Sequence, residues 1–118
     1  MVDSAGSPND SGKSFRERRA VPRYSLIAAA EIIEPVSGVR ISGRISEVSR
    51  RGCYIDLLNT LPMQTLIQVR IMRDQGTFET PGKIIYTQEG MGMGVGFLDT
   101  PPDQLKILDS WIAELSSS

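Results

Sequence analysis

Residues 39–58 read VRISGRISEVSRRGCYIDLL, two alternating segments on either side of a short polar turn. In the first segment the odd-numbered positions are apolar or Gly until Glu47, and the even-numbered positions are polar until Val48. In the second segment the odd-numbered positions are Cys, Ile and Leu. Alternation of period two is typical of half-buried β-strands. The sequence therefore predicts two strands joined by a tight connection.

The rest of the chain carries the same pattern at regular spacing. Further strands are predicted over residues 24–33, 66–72, 77–87 and 92–98, with turn signals between them. Pro81-Gly82 interrupts one of these segments, and a proline there indicates an edge position or a bulge. About six short strands with tight connections are typical of an antiparallel barrel or sandwich, so the predicted fold class is mostly β.

The C-terminal segment predicts one helix over 101–115. Thr100 is the predicted N-cap, Pro101 stands in the first turn, and Asp103 occupies the capping-box position. An apolar stripe then recurs at helical spacing: Leu105, Leu108, Trp111, Ile112 and Leu115. We expect this stripe to pack on the strands or to close one end of a barrel, in preference to binding a partner protein.

The composition excludes most enzyme chemistries. The 118 residues include no His and a single Cys, so the chain lacks a Ser-His-Asp triad, a Cys-His pair and a Cys/His zinc site. Cys53 lies in a predicted strand and is expected to be buried. We therefore expect no catalytic residue, no metal and no cofactor. No apolar run reaches the ~20 residues of a membrane span, so a cytoplasmic protein without membrane insertion is predicted.

The N-terminal part differs from the rest in composition and charge. Residues 1–14 (MVDSAGSPNDSGKS) hold almost nothing to bury and predict a disordered leader. Residues 15–23 form a basic arm: segment 13–23 carries a net charge of +4, against −5 for the remainder. Such an arm indicates an anionic partner or, alternatively, an arm attracted to its own acidic domain. The predicted domain spans 15–118, with the barrel over 24–98.

Two arginines of the arm suit an anionic ligand. Arg19 and Arg23 lie four apart across a segment that Pro22 keeps extended, so their side chains can approach a ligand from different sides. The planar guanidinium group matches phosphate oxygens and also the O6/N7 edge of guanine.

The turn after the strand over 39–48 offers complementary groups. The Glu47 carboxylate can accept hydrogen bonds from the N1–H and N2–H₂ edge of a guanine, and Ser49 adds a hydroxyl. Gly52 is expected to supply a positive φ at the end of the turn.

Four glycines in a predicted strand form a bare face. Residues 90–97 alternate between Gly and the apolar Met91, Met93, Val95 and Phe97. We expect these apolar residues in the core, and the glycine face to allow close approach of a backbone, a helix or a flat ligand, with packing favoured.

The chain resembles the PilZ domain family over about residues 15–115 in three motifs, which stand in the family's order: Arg19-x-x-x-Arg23, Glu47-x-Ser49-x-x-Gly52 and Gly94-Val95-Gly96-Phe97. The family signature is RxxxR followed by (D/N)xSxxG. The resemblance implies a six-stranded antiparallel β-barrel with a C-terminal α-helix, and binding of the bacterial second messenger cyclic di-GMP.

The resemblance also implies a role for each motif residue. The implied ligand-binding residues are Arg18, Arg19, Arg23, Glu47, Ser49 and Gly52. The motif arginines would hold phosphate and guanine, the Ser and Gly would shape the pocket, and Glu47 would pair with a guanine edge. Arg18 resembles the residue of family members that take up an intercalated ligand dimer. Glu47 departs from the signature Asp or Asn, and its extra methylene moves the oxygens by about 1.5 Å.

Three functions remain open from the sequence. The leading hypothesis is a non-catalytic cyclic di-GMP receptor whose ligand orders the arm and which signals in trans to an effector protein, because no output domain is attached. The alternative is a PilZ-like protein-protein interaction module that does not bind nucleotide, which Glu47 favours and the arginine pair disfavours. A single-stranded nucleic-acid binder is disfavoured because the chain has seven aromatic residues and no stacking cluster on one strand face.

Overall fold

The structure, a computed structural model, describes residues 21–74 and 76–117. The predicted leader over 1–14 and the first part of the arm, including Arg18 and Arg19, lie outside the described residues.

Within the described residues, six strands form a closed antiparallel barrel. The strands are β1 (Arg23–Glu34), β2 (Val39–Ser49), β3 (Gly52–Asp56), β4 (Leu66–Arg73), β5 (Gly76–Gln88) and β6 (Gly92–Phe97). Their order around the barrel is β1, β2, β3, β6, β5 and β4, and β4 pairs with β1 to close it. The predicted mostly-β class is confirmed. The strand pattern left an antiparallel barrel or a sandwich open, and the structure is a barrel.

Three register shifts change which side chains face outward. They lie between Ser25 and Ala28 in β1, between Ile45 and Glu47 in β2, and between Ile84 and Tyr86 in β5. Each inserts one extra residue, so the alternation changes sense beyond it. In β2 this buries both Ile45 and Val48 and turns Glu47 outward. The prediction that Glu47 shares a face with Ile45 is therefore wrong.

The core fills the inside of the barrel. Fully buried apolar side chains come from every strand, including Ile32, Ile45, Ile55, Ile71, Phe78, Ile84 and Met93. Cys53 and Val95 are buried as predicted, and Phe97 packs against the core. Met91 is 65% exposed, so its assignment to the core is wrong. It lies in the β5–β6 turn, where Gly90 takes a φ of 79°.

The C-terminal helix α1 (Pro102–Ser116) packs on the barrel as predicted. It buries Leu108 and Trp111, and the Trp111 ring meets Phe78 of β5 edge-on with 6.2 Å between ring centroids. The Arg73 guanidinium lies over the same indole, 5.7 Å from its centroid. Nowhere in residues 21–74 and 76–117 does a helix have the length and apolar character that a membrane span requires.

The start of α1 differs from the sequence prediction. The N-cap is Pro101, without a side-chain capping bond, so the prediction of Thr100 as N-cap is wrong. The Thr100 hydroxyl instead forms a 2.9 Å hydrogen bond with the hydroxyl of Thr80, which is fully buried in β5. The Thr80 hydroxyl also donates to the Pro81 carbonyl at 3.1 Å, so Thr100 supplies the second hydrogen-bond partner of this buried group.

Pro81 sits in β5 without making it an edge strand. It pairs with Gln68 of β4, and its carbonyl accepts a 2.9 Å hydrogen bond from the Leu98 N–H just beyond β6. In a strand, the nitrogen and the carbonyl of one residue point to the same neighbouring strand, here β6. The β5–β6 pairing begins at Gly82, so the N–H that Pro81 lacks would lie just beyond the end of that ladder. The edge prediction is wrong, and the bulge of β5 lies farther along the strand.

Candidate functional site

The β1–β2 ladder brings the two sequence motifs together. Arg23 opens β1 opposite Ser49 at the end of β2, and Ser25 stands opposite Glu47. Cross-strand partners share a face, so these side chains lie side by side on the outer wall. The Arg23 Nη1 atom lies 3.7 Å from Glu47 Oε1, and the two side chains are 55% and 44% exposed. A basic and an acidic group thus stand together at one end of the barrel surface.

The turn between β2 and β3 is shaped by its own side chains. The Ser49 hydroxyl accepts a 3.1 Å hydrogen bond from the Arg51 N–H and donates to the Gly52 carbonyl at 3.4 Å. Gly52 pairs with Gly96 of β6, and a Cβ at position 52 would overlap the Val95 carbonyl group. The turn therefore requires this glycine for close approach of two backbones.

The backbone conformation of Gly52 differs from the one expected from the sequence. The described glycines with positive φ are Gly38 and Gly90, so the predicted positive φ at Gly52 is wrong. The residue type is explained by crowding against β6 instead.

A bidentate ion pair ties this turn to α1. Arg50 Nε donates to Asp109 Oδ1 at 2.8 Å, and Nη2 donates to Oδ2 at 3.3 Å. These hydrogen bonds lower the pKa of the Asp109 carboxyl and raise the pKa of Arg50. The turn and the helix are 59 positions apart in sequence, so the pair connects two distant parts of the fold.

A cavity of about 170 Å³ opens on the outer wall beside the turn. Its lining includes the predicted site residues Arg23, Glu47, Ser49 and Gly52. It also includes residues that were not predicted: Arg51, Cys53, Tyr54, Ile85, Tyr86 and Gly94. Burial raises the pKa of the Cys53 thiol to about 12, so this group stays protonated and unreactive at neutral pH. The predicted Arg18 and Arg19 lie outside the described residues.

The lining combines two guanidinium groups, a carboxylate, the Ser49 hydroxyl and the rings of two tyrosines. Guanidinium groups bind phosphate oxygens, and a carboxylate accepts hydrogen bonds from a base edge. Aromatic rings stack with the flat face of a base. The cavity therefore suits an anionic ligand that carries planar, hydrogen-bonding rings.

The sequence missed Tyr86 for a physical reason. Strict alternation assigns Tyr86 to the face of Ile84, which is fully buried, but the register shift between them turns Tyr86 outward. Tyr54 was within reach of sequence reasoning, because it lies on the polar side of the alternation in the second strand of the opening segment. The Tyr86 ring on β5 was not within reach of sequence reasoning.

The chain matches the family model described as PilZ domain over residues 17–114. No curated protein sequence matches it. Among solved structures, the PilZ domain of YcgR from Escherichia coli with c-di-GMP is 17% identical, with a TM-score of 0.71 and coverage of 85% of this chain and 92% of that one.

Two further solved structures have the same fold. YcgR of Escherichia coli in complex with c-di-GMP is 19% identical, with a TM-score of 0.72, and the match covers 85% of this chain and 46% of that chain. The PilZ domain of CeSA from a cellulose-synthesizing bacterium is 18% identical, with a TM-score of 0.63 and coverage of 80% and 98%. The chain thus spans less than half of the longer YcgR chain, and the likeness establishes the fold.

Proposed function

Since the chain belongs to the PilZ domain family, we propose that it is a non-catalytic receptor for cyclic di-GMP. The observation that carries the proposal is that Arg23, Glu47, Ser49 and Gly52 meet at one cavity on the outer barrel wall. The PilZ domain of Escherichia coli YcgR, which has the same fold, is solved with this nucleotide.

The roles of these groups follow from their chemistry. The Arg23 guanidinium donates to a ligand phosphate or to the O6/N7 edge of guanine. The Glu47 carboxylate accepts from the N1–H and N2–H₂ edge of guanine. In the free protein the two side chains neutralise one another across 3.7 Å, and both are exposed enough to turn toward a ligand. Ser49 and Gly52 hold the turn that forms the cavity wall.

The remaining arginines enter the proposal through the sequence motif. Arg19 supplies the second guanidinium of RxxxR, and Arg18 stands where related proteins take up an intercalated ligand dimer. Both residues lie outside the described part of the chain. We assign them to ligand binding on the motif alone.

The output of the receptor is proposed to be a changed protein surface. A ligand held by Arg23 and the β2–β3 turn alters the wall that an effector protein meets, and signalling then proceeds in trans in the cytoplasm. No reaction of the ligand is proposed, since the chain has no His and the Cys53 thiol that lines the cavity has a raised pKa.

Titration calorimetry with cyclic di-GMP tests the receptor function, with GTP and a single-stranded oligonucleotide as controls. Of these three ligands, we expect only cyclic di-GMP to show saturable binding. Arg23→Ala should weaken it by roughly 10- to 150-fold, because a charged hydrogen bond contributes ~1.5 to 3 kcal/mol. The far-UV circular dichroism spectrum of Arg23→Ala should match that of the wild type.

Arg40→Ala is the matched control for this experiment. Arg40 also lies on the β1–β2 ladder and pairs with a glutamate, Glu31, at 3.3 Å, but it stands at the other end of the strands. Its removal should leave the affinity unchanged. A folded wild-type protein that binds no cyclic di-GMP would contradict the receptor function and support a nucleotide-independent interaction module.

A further inference from the structure

A row of paired residues crosses four strands on the outer wall. Glu47 of β2 pairs with Tyr54 of β3, Tyr54 with Gly94 of β6, and Gly94 with Tyr86 of β5. Residues paired across strands share a face and stand about 5 Å apart. The row therefore begins at the ionic end of the cavity and continues into two aromatic rings.

The glycines of β6 allow these rings to lie close to the sheet. A Cβ at Gly94 would come within 2.6 Å of Tyr86 Cζ, and one at Gly92 within 2.7 Å of Tyr54 Cε2. The ring centroids of Tyr54 and Tyr86 are 6.1 Å apart, with 34° between the ring planes. The Tyr54 hydroxyl donates to Gln88 Oε1, which fixes that ring. Together the rings form one apolar floor over a bare strand.

This floor is open to solvent beside charged groups. Tyr86 is 39% exposed, the neighbouring Ile85 is 44% exposed, and both line the cavity that contains Arg23 and Glu47. The bulge in β5 is what places Ile85 and Tyr86 outside the barrel, where they contribute little to the core. An exposed aromatic floor next to a carboxylate offers a base both a face and an edge to contact.

We propose that Tyr54 and Tyr86 form a stacking platform for one purine base of the ligand, with Tyr86 making the direct ring contact. This inference rests on the proposed function, because it extends the same cavity to a further part of the same ligand. Glu47 recognises the base edge, while the platform holds its face. The phosphates lie toward Arg23.

The platform and the carboxylate have different selectivities. Every base has a π face, so stacking on Tyr86 is tolerant of base identity. The Glu47 carboxylate accepts from N1–H and N2–H₂ groups that guanine has and adenine lacks. Loss of the Tyr86 ring should therefore weaken cyclic di-GMP and cyclic di-AMP by the same factor, whereas loss of the Glu47 carboxylate should reduce the preference between them.

Affinity measurements on two substitutions of Tyr86 test the platform. Tyr86→Leu should weaken cyclic di-GMP binding by roughly 5- to 150-fold, and Tyr86→Phe, which keeps the ring, should bind like the wild type. Ile27→Ala removes an exposed apolar side chain from β1, outside the cavity lining, and should have no effect. Wild-type affinity in Tyr86→Leu, together with weakened binding in Arg23→Ala, would overturn the platform and leave the receptor function standing.

A second measurement does not depend on how the variants fold. In the wild-type complex, stacking should shift the guanine H8 resonance of bound cyclic di-GMP upfield, because the proton lies over an aromatic ring. An unshifted H8 resonance in a saturated complex would overturn the platform. A wild-type protein that binds no cyclic di-GMP overturns both proposals, and that result is distinct from a complex that forms without stacking.

Discussion

Glu47 is the residue on which the proposed ligand recognition depends most finely. The register shift in β2 turns its carboxylate outward, and the pairing with Tyr54 places it between the arginine and the aromatic part of the cavity. It also forms the long ion pair with Arg23, so a ligand must compete with an existing contact. An exposed pair of this kind contributes little to stability, which makes it easy to exchange for ligand contacts.

Glu47→Asp should bind cyclic di-GMP as tightly as the wild type or more tightly. The shorter side chain restores the carboxylate of the family signature and draws it about 1.5 Å closer to the β2 backbone. Glu47→Ala should bind more weakly, because it removes the acceptor for the guanine edge. Glu31→Asp, an acidic substitution on the same ladder next to Arg40, is the control and should change nothing. Tighter binding by Glu47→Ala would identify the carboxylate as an obstacle in the cavity.

The motif residues of the candidate site could be predicted from the sequence, whereas Arg51 and Tyr86 could not. Arg23, Ser49 and Gly52 stand in two short linear motifs that spacing reveals. Tyr86 belongs to no motif, and its place depends on the extra residue in β5 and on Gly94 of another strand. A surface assembled from three strands has no signature in any one of them.

At the scale of elements, the strands and the helix were predicted to within a few residues, and the bulges were not. Strict alternation places Val48 opposite Ile45, yet both are fully buried. A bulge adds one residue to a strand, and the alternation of the sequence does not show where that residue falls. The N-cap of α1 was also predicted wrongly, because the Thr100 hydroxyl hydrogen-bonds to the buried Thr80 hydroxyl of β5, a tertiary contact that the helix sequence does not reveal.

The ion pair between Arg50 and Asp109 should give the turn–helix contact a dependence on pH. The pKa of Asp109 is lowered in the folded state, so its contribution to stability is present above the unfolded pKa of about 4 and is lost as pH falls through the folded pKa. In urea titrations followed by Trp111 fluorescence, Asp109→Asn should be less stable than the wild type at pH 7. The difference should shrink below pH 4 and in high salt.

A double-mutant cycle with Arg50→Ala controls for effects of each side chain on its own. The double variant should lose less stability than the two single variants together, because both remove the same contact. Full additivity at pH 7 would contradict the pair.

At the scale of the molecule, the closed barrel separates the core from the proposed binding surface. The buried residues point inward from all six described strands, whereas the cavity opens on the outer side of the wall, although its lining also includes the buried Val48, Cys53 and Val95. Substitutions of Arg23, Glu47 or Tyr86 can therefore change affinity with little change in folding. Cys53 lies between the two regions, since it is buried in β3 and also lines the cavity.

Labelling of Cys53 by a thiol reagent should therefore report the opening of the barrel and its coupling to the ligand. At pH 8 the native protein should react at least roughly 10³-fold more slowly than the urea-unfolded chain, because the thiol is buried, its pKa is raised to about 12, and a stable domain opens rarely. Since a closed barrel has no free edge strand, full exposure of this side chain requires pairing between β3 and a neighbour to break. Cyclic di-GMP at ten times its dissociation constant should slow labelling by about tenfold if it binds the closed barrel alone. Arg23→Ala should show much less slowing at the same ligand concentration.

Cys53 is the chain's single cysteine, so all label is assigned to it. Rapid labelling of the native protein, unaffected by ligand, would mean that the cavity wall opens locally and that the site is not coupled to the stability of the barrel.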